Sequence, residues 1–197
     1  MFTFKIDLAP FEEQVKRMDA AIDQMPFALS RALNDAANDA YEYLIEETWP
    51  KAVKVRNASF LRWAMRTKFS TKYDLEVEIF DNTPDQRAHL ALHAEGGVKL
   101  PKGAHLIVPT DNVSRGASGV RQSQKPANMV GKVVKGNKIY QAIGRGKTKH
   151  LKLMYVLVPR TQQPKDVPFH EDFEQIMIES SRRHFKERMI QAMRSRK

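Results

Sequence analysis

Along this chain the spacing of apolar residues alternates between steps of two and steps of three or four, and each change of step marks an element. Phe2, Phe4, Ile6 and Leu8 alternate with polar residues, which predicts a short half-buried strand before Pro10. A helix is expected from Pro10 to Met25, and Pro26 sits where a first-turn proline would start a second one. In that second helix Leu29, Leu33, Ala36, Ala37, Ala40, Leu44 and Thr48 form one stripe, whose small members permit close approach of another helix. Trp49-Pro50 is expected to end it, because a proline pushes the preceding residue out of the helical region.

Residues 59–69 read as a short helix with Ser59 as cap and Phe60, Trp63 and Ala64 on one side. Leu75, Val77 and Ile79 then alternate with Glu76 and Glu78, which predicts a strand with its apolar face inward. A helix from Pro84 to Glu95 is stopped by Gly96-Gly97. Two apolar runs, His105–Pro109 and Met154–Pro159, each close on Val-Pro, and proline removes a ladder donor there. Lys132-Val-Val and Lys138–Ile143 flank Lys135-Gly136-Asn137, a hairpin pattern. Phe169, Phe173, Ile176, Met177, Phe185, Met189 and Met193 mark one face of a C-terminal helix. From Thr110 to Met129 nothing is periodic, which reads as a functional loop or arm.

Together these elements predict an α+β fold in one domain spanning residues 1–197. A mainly antiparallel sheet drawn from segments near 74–80, 105–109, 132–143 and 151–158 is packed by a long helix (27–49) and an amphipathic C-terminal helix (170–195). An extended basic loop projects at about 110–130. Leu29, Leu33, Leu44, Val77, Ile79, Phe173 and Phe185 are the expected core.

Charge changes the picture, because it is unevenly placed. The formal net charge is +10, yet residues 1–50 hold four Lys/Arg against ten Asp/Glu, so the remainder carries +16. Residues 110–165 contain twelve Lys/Arg and a single acid, Asp111. Such asymmetry favours a polyanion or an acidic protein face as partner. Arg115, Arg121, Lys125, Lys132, Lys135, Arg145, Lys147 and Lys149 are the candidate contacts, with Tyr140 and Tyr155 nearby. Glu42, Glu46 and Glu47 form a candidate acidic face for contact between subunits.

Candidate chemistry adds little. The chain has no Cys, which excludes disulfides, Cys-ligated zinc and thiol catalysis. His89 and His93 share a helical spacing, but Leu90 stands where the zinc-protease pattern needs Glu. His170-Glu171-Asp172 suits the electrostatics of a helix start. Gly144-Arg-Gly-Lys-Thr-Lys lacks the four-residue gap of a phosphate loop, and no Gly-x-Ser-x-Gly elbow occurs. Neither an enzymatic activity nor a cofactor or metal is expected. The first residues lack the basic and apolar regions of a signal peptide, and no run suits a membrane helix, so a soluble protein is expected.

The ordered pieces Ala28-Leu-Ser-Arg-Ala-Leu-Asn-Asp-Ala-Ala, His93-Ala-Glu-Gly-Gly, Leu100-Pro-Lys-Gly, Ile107-Val-Pro, Leu153-Met-Tyr-Val-Leu-Val-Pro and Phe169–Met193 resemble the minor tail protein Z family of lambda-like tailed phages. That family belongs to the wider group of phage tail-completion proteins, and the resemblance runs from about residue 26 to the end. It implies a virion structural protein that completes the head-proximal end of the tail and joins it to the neck. It further implies an oligomeric ring, often sixfold, that contacts tail-tube or terminator and neck proteins and that genomic DNA crosses during ejection. Assembly would take place in the host cytoplasm. The alternative is a non-specific DNA-binding or packaging-associated protein using the basic 110–149 region.

Overall fold

A computed structural model describes residues 24–84 and 88–194; the strand expected at Phe2–Leu8 and nearly all of the helix expected from Pro10 lie outside them. The chain divides into two compact units. A helical unit takes the residues up to Val55, Ser59–Glu95 and those from Lys165 onward, and a sheet unit takes Arg56–Ala58 and Gly96–Pro164. The α+β class stands, with antiparallel pairing in every sheet.

In the helical unit α1 spans Met25–Tyr43, with Pro26 in its first turn. The expected stop at Trp49-Pro50 does not occur. A π-helical turn, Leu44–Thr48, leads directly into α2, Trp49–Ala52, and Trp49 keeps helical angles of φ −64° and ψ −48°. Pro50 has no N–H to donate, and in a regular α-helix its ring would crowd the preceding turn. The wider turn, in which the Trp49 N–H donates to the Leu44 carbonyl, accommodates it. The run ends at Val53, which is extended.

The C-terminal helix α5, Phe169–Arg194, lies along α1. Against it α1 turns Ala28, Ala32, Ala36, Ala37 and Ala40 with Leu29 and Leu33, all buried; α5 contributes Phe169, Phe173 and Met177. A polar seam ties the two helices across more than 140 residues of sequence. Asp39 Oδ2 accepts from Ser180 Oγ at 2.8 Å and Arg183 Nη2 at 2.6 Å and sits 2.8 Å from His184 Nε2, while Arg188 Nε donates to Asp35 at 2.5 Å. Burial alone would raise Asp39, but hydrogen bonds from His184 and Ser180 and the charges of His184 and Arg183 hold its carboxyl below the ordinary value.

The helix expected over 59–69 is cut short. It forms as α3, Phe60–Ala64, and Met65 then turns extended to begin β1, Met65–Lys68. β1 pairs antiparallel with β2, Glu78–Asp81, setting Thr67 opposite Ile79; a partner strand overrides the local helical spacing. Ser70, just past β1, exchanges hydrogen bonds with Ser30 and Asn34 of α1. Of the helix expected over 84–95, α4 occupies Leu90–Glu95, and Gly96 leaves it at φ +75°. Trp49 stacks on Phe169 at 5.9 Å and 10° and meets His93 edge-on at 5.3 Å. Of the expected core, Leu29, Leu33, Leu44, Val77, Ile79 and Phe173 are buried, whereas Phe185 is half-buried against Met25 and Leu29.

In the sheet unit four strands run in the order β4–β9–β8–β7: Leu106–Pro109, His150–Val158, Lys138–Ile143 and Lys132–Lys135. The two Val-Pro runs are therefore neighbours, with Ile107 opposite Leu157 and Pro109 opposite Tyr155. A register shift at Ile139/Tyr140 leaves Met154 unpaired against β8, the signature of a β-bulge. Gly97–Lys99 (β3) pairs with Thr161–Gln163 (β10), and Arg115–Gly116 (β5) with Gly119–Val120 (β6).

The expected extended, projecting loop at 110–130 is not what forms. Val113 and Met129 are buried with Ile139, Met154 and Tyr155, and Val120 packs on the same cluster. The Thr110 hydroxyl donates to the Leu153 carbonyl at 2.9 Å, Asn112 Nδ2 to the same oxygen at 2.8 Å, and the Tyr155 hydroxyl to the Gln124 carbonyl at 2.6 Å. Isolated apolar residues at either end fold the segment onto the sheet, a device that leaves no period in the sequence.

Two expectations follow. Phe169→Ala, which removes a fully buried ring and the stack on Trp49, should cost about 3–5 kcal/mol in urea unfolding. The second concerns acid. A folded-state pKa of Asp39 below its unfolded value means that its contribution is complete above the unfolded pKa of about 3.9 and is lost as pH falls through the folded pKa. Asp39→Asn should therefore melt below the parent at neutral pH, with the gap closing as pH falls below about 4.

Candidate functional site

The register of the sheet decides which cations share a side. Side chains alternate along a strand, so Lys132 shares the face of Val134 and Ile139, whereas Lys135 takes the other. Lys132 lies across from Gln141, and Gln141 from Lys152, which places both lysines in one row on the face that carries Ile139. The buried residues of the 110–130 segment pack on that same face, bringing Arg115, Arg121 and Lys125 to it. On the opposite face Lys135 stands directly across from Lys138, a like-charge pair that costs stability unless an anion offsets it.

Arg145, Lys147 and Lys149 sit apart, on the turn between β8 and β9. That turn depends on Gly144 at φ +84°, where an added Cβ would lie 2.3 Å from the Thr148 carbonyl oxygen. Thr148 closes it by donating from Oγ1 to the Arg145 carbonyl at 2.8 Å. The eight predicted contact residues thus fall into a hairpin-loop group, the β7 lysines and a turn group. Lys138, inside the basic 110–149 region but not among the eight named candidates, and Lys152, beyond it, join them on the strands; their signal was strand alternation, which assigns a face only once the register is known.

Between Ser114 and Lys125 the β5–β6 hairpin and a 3₁₀ turn, Gln122–Gln124, enclose a solvent-open concavity of about 360 Å³ lined by Arg115, Arg121, Lys125 and the intervening Ser and Gly residues. No carboxylate lines it. Gln124 Oε1 accepts from the Ser114 N–H at 2.8 Å and ties its two ends together. Beneath it burial pushes the Tyr155 hydroxyl up, opposed in part by the charge of Arg115. The predicted acidic face has a different surrounding. Arg62 donates to both oxygens of Glu42, at 2.7 and 2.5 Å, and to Glu46 at 2.8 Å, holding Glu42 below the usual carboxylate range. Glu47 pairs with Lys51 at 2.9 Å. These acids are matched inside the helical unit, whereas none of the eight predicted cations forms a salt bridge with a carboxylate among the described residues.

No group of three or more potential metal ligands occurs among the described residues. His89 precedes α4 at φ +55°, and His93 Nδ1 lies 2.8 Å from Asp166 Oδ1, so the two histidines do not sit as an i, i+4 pair on one helix. His170 and Glu171 open α5, where His170 lies 3.7 Å from Glu95 and Glu171 pairs with Lys165. No helix among the described residues is long and apolar enough to cross a membrane. Compared with known proteins, the chain matches no protein-family model, no curated protein and no solved structure.

Tyr155→Phe removes the hydroxyl that holds Gln124, one hydrogen bond with a net worth of about 0.5–1.5 kcal/mol. Hydrogen exchange should quicken at the backbone amides of residues 122–128, with β8 and β9 unchanged; equal quickening throughout the sheet would show that the bond does not act locally.

Proposed function

We propose that this chain is a structural component of a phage virion, completing the head-proximal end of the tail and joining it to the neck as a subunit of an oligomeric ring. The observation that carries the reading is where the resembling pieces fall. Ala28–Ala37 is the alanine face of α1, Phe169–Met193 is the helix packed along it, and Ile107-Val-Pro and Leu153–Pro159 lie on adjacent antiparallel strands. Pieces that are short and scattered in sequence form two packing partnerships, as a shared framework requires.

Ring formation needs a contact between two different surfaces of neighbouring copies. The four-stranded sheet supplies outer strands of unlike character: β4 is apolar, with Ile107 and Val108 exposed, and β7 is bracketed by Lys132 and Lys135. The helical unit adds Trp63, 52% exposed, and Tyr73, 87% exposed, aromatic residues of the kind that anchor protein interfaces. With Glu42, Glu46 and Glu47 already paired, attraction between an acidic and a basic face is weaker than the raw −6 and +16 division suggests. Neighbouring partners are the tail-tube or terminator protein and the neck proteins, and the role is one of contact rather than catalysis.

Gold-labelled antibody against the chain, applied to particles of a phage that encodes it, should mark the head–tail junction in electron micrographs. Label confined to the capsid, the tail tip or free protein would overturn the proposal.

A further inference from the structure

We infer that the concavity between Ser114 and Lys125 is a phosphate-binding site that takes the sugar–phosphate backbone of DNA without regard to sequence. This goes beyond the assembly role and stands without it. The concavity is open to solvent, so a group belonging to a longer chain can enter it without being enclosed. The residues that line it carry what a phosphate needs: the guanidinium forks of Arg115 and Arg121, the ammonium of Lys125 and the hydroxyls of Ser114 and Ser118. Gly116 and Gly119 face each other in the hairpin, and a Cβ on either would meet nothing within 4 Å, so the backbone is open to close approach.

Two observations favour a polymer over a small anion and DNA over the acidic face of a second copy. The first is the continuation of cations beyond the concavity, with Lys132 and Lys152 on the same face of the sheet. A row of charges matches a chain of phosphates, each neutralised phosphate releasing counterions. The second is the fate of the acids on α1 and the π turn. Asp35, Asp39, Glu42, Glu46 and Glu47 are each held by a cation of the helical unit, so the acidic face of α1 and the π turn in a second copy is already matched. No helix presents these cations to a groove; Arg115, Arg121 and Lys125 sit on a two-residue strand and loops, geometry for gripping backbone rather than reading base edges.

The test is fluorescence anisotropy of the full chain with a labelled DNA duplex across a salt series. The triple variant Arg115→Ala, Arg121→Ala, Lys125→Ala should bind at least about tenfold more weakly near 0.1 M salt, and its slope of log K against log salt should shrink by about two to three. A control triple, Lys54→Ala, Arg182→Ala, Lys186→Ala, removes exposed cations of the helical unit and should leave both quantities unchanged. The double variant Arg115→Lys, Arg121→Lys keeps the charge and should keep the slope; a loss as large as that of the alanine triple would mean lost structure and would overturn the inference. Equal losses in the two alanine triples, or no binding by the parent, would overturn it as well. So would poly-glutamate displacing the duplex as effectively as unlabelled DNA at equal charge, which would point to an acidic protein partner.

Discussion

The close contact of α1 with α5 is the constraint on which the helical unit depends. An alanine stripe on α1 brings the two helices near enough for Asp35 and Asp39 to reach Arg188, Arg183, His184 and Ser180, while Phe169, Phe173 and Met177 fill the space alongside. Larger residues at Ala36, Ala37 or Ala40, all fully buried, would push the helices apart and unpair the carboxylates together. The chain leaves the helical unit after Glu95 and re-enters it at Lys165, so this contact joins halves separated by an entire sheet unit.

The same contact allocates the charge. Its acids, and those further along α1 and the π turn, are held by cations within the helical unit, where each exposed pair adds little stability but leaves little free charge. In the sheet unit the reverse holds: many cations, a single acid in 110–165, and two lysines facing each other across a hairpin. Formal net charge understates this division, because the acids of α1 and the π turn are matched, whereas the eight candidate cations of the sheet unit form no salt bridge with a carboxylate among the described residues. The sheet unit is therefore a surface that gains from a negative partner.

Elements with a sustained period were legible in the sequence: the stripe of α1, the face of α5, the β7–β8 hairpin and the two Val-Pro strands, though not their pairing. What escaped depends on distant partners. Met65–Lys68 carries a helical apolar spacing and becomes a strand because β2 lies beside it. Gly97–Lys99 and Thr161–Gln163 are too short and polar to signal a strand at all, yet they pair across more than 60 residues. Trp49-Pro50 misled because a π turn absorbs a proline that an α-helix could not. The candidate site divides in the same way. Its cations could be counted from composition, but the concavity rests on Val113 and Met129 anchoring a segment without periodicity, and the sharing of faces rests on register.

We propose that Lys125, Lys132, Lys135 and Lys152, which form no salt bridge with a carboxylate among the described residues, become covered by a negatively charged partner when the chain assembles into a particle. Lysine acetylation rates, read by mass spectrometry on the free chain and on intact particles, test it most directly. The account predicts fast labelling of Lys125, Lys132, Lys135 and Lys152 in the free chain and strong protection of them in the particle. Equal reactivity of these lysines in the two states would contradict it.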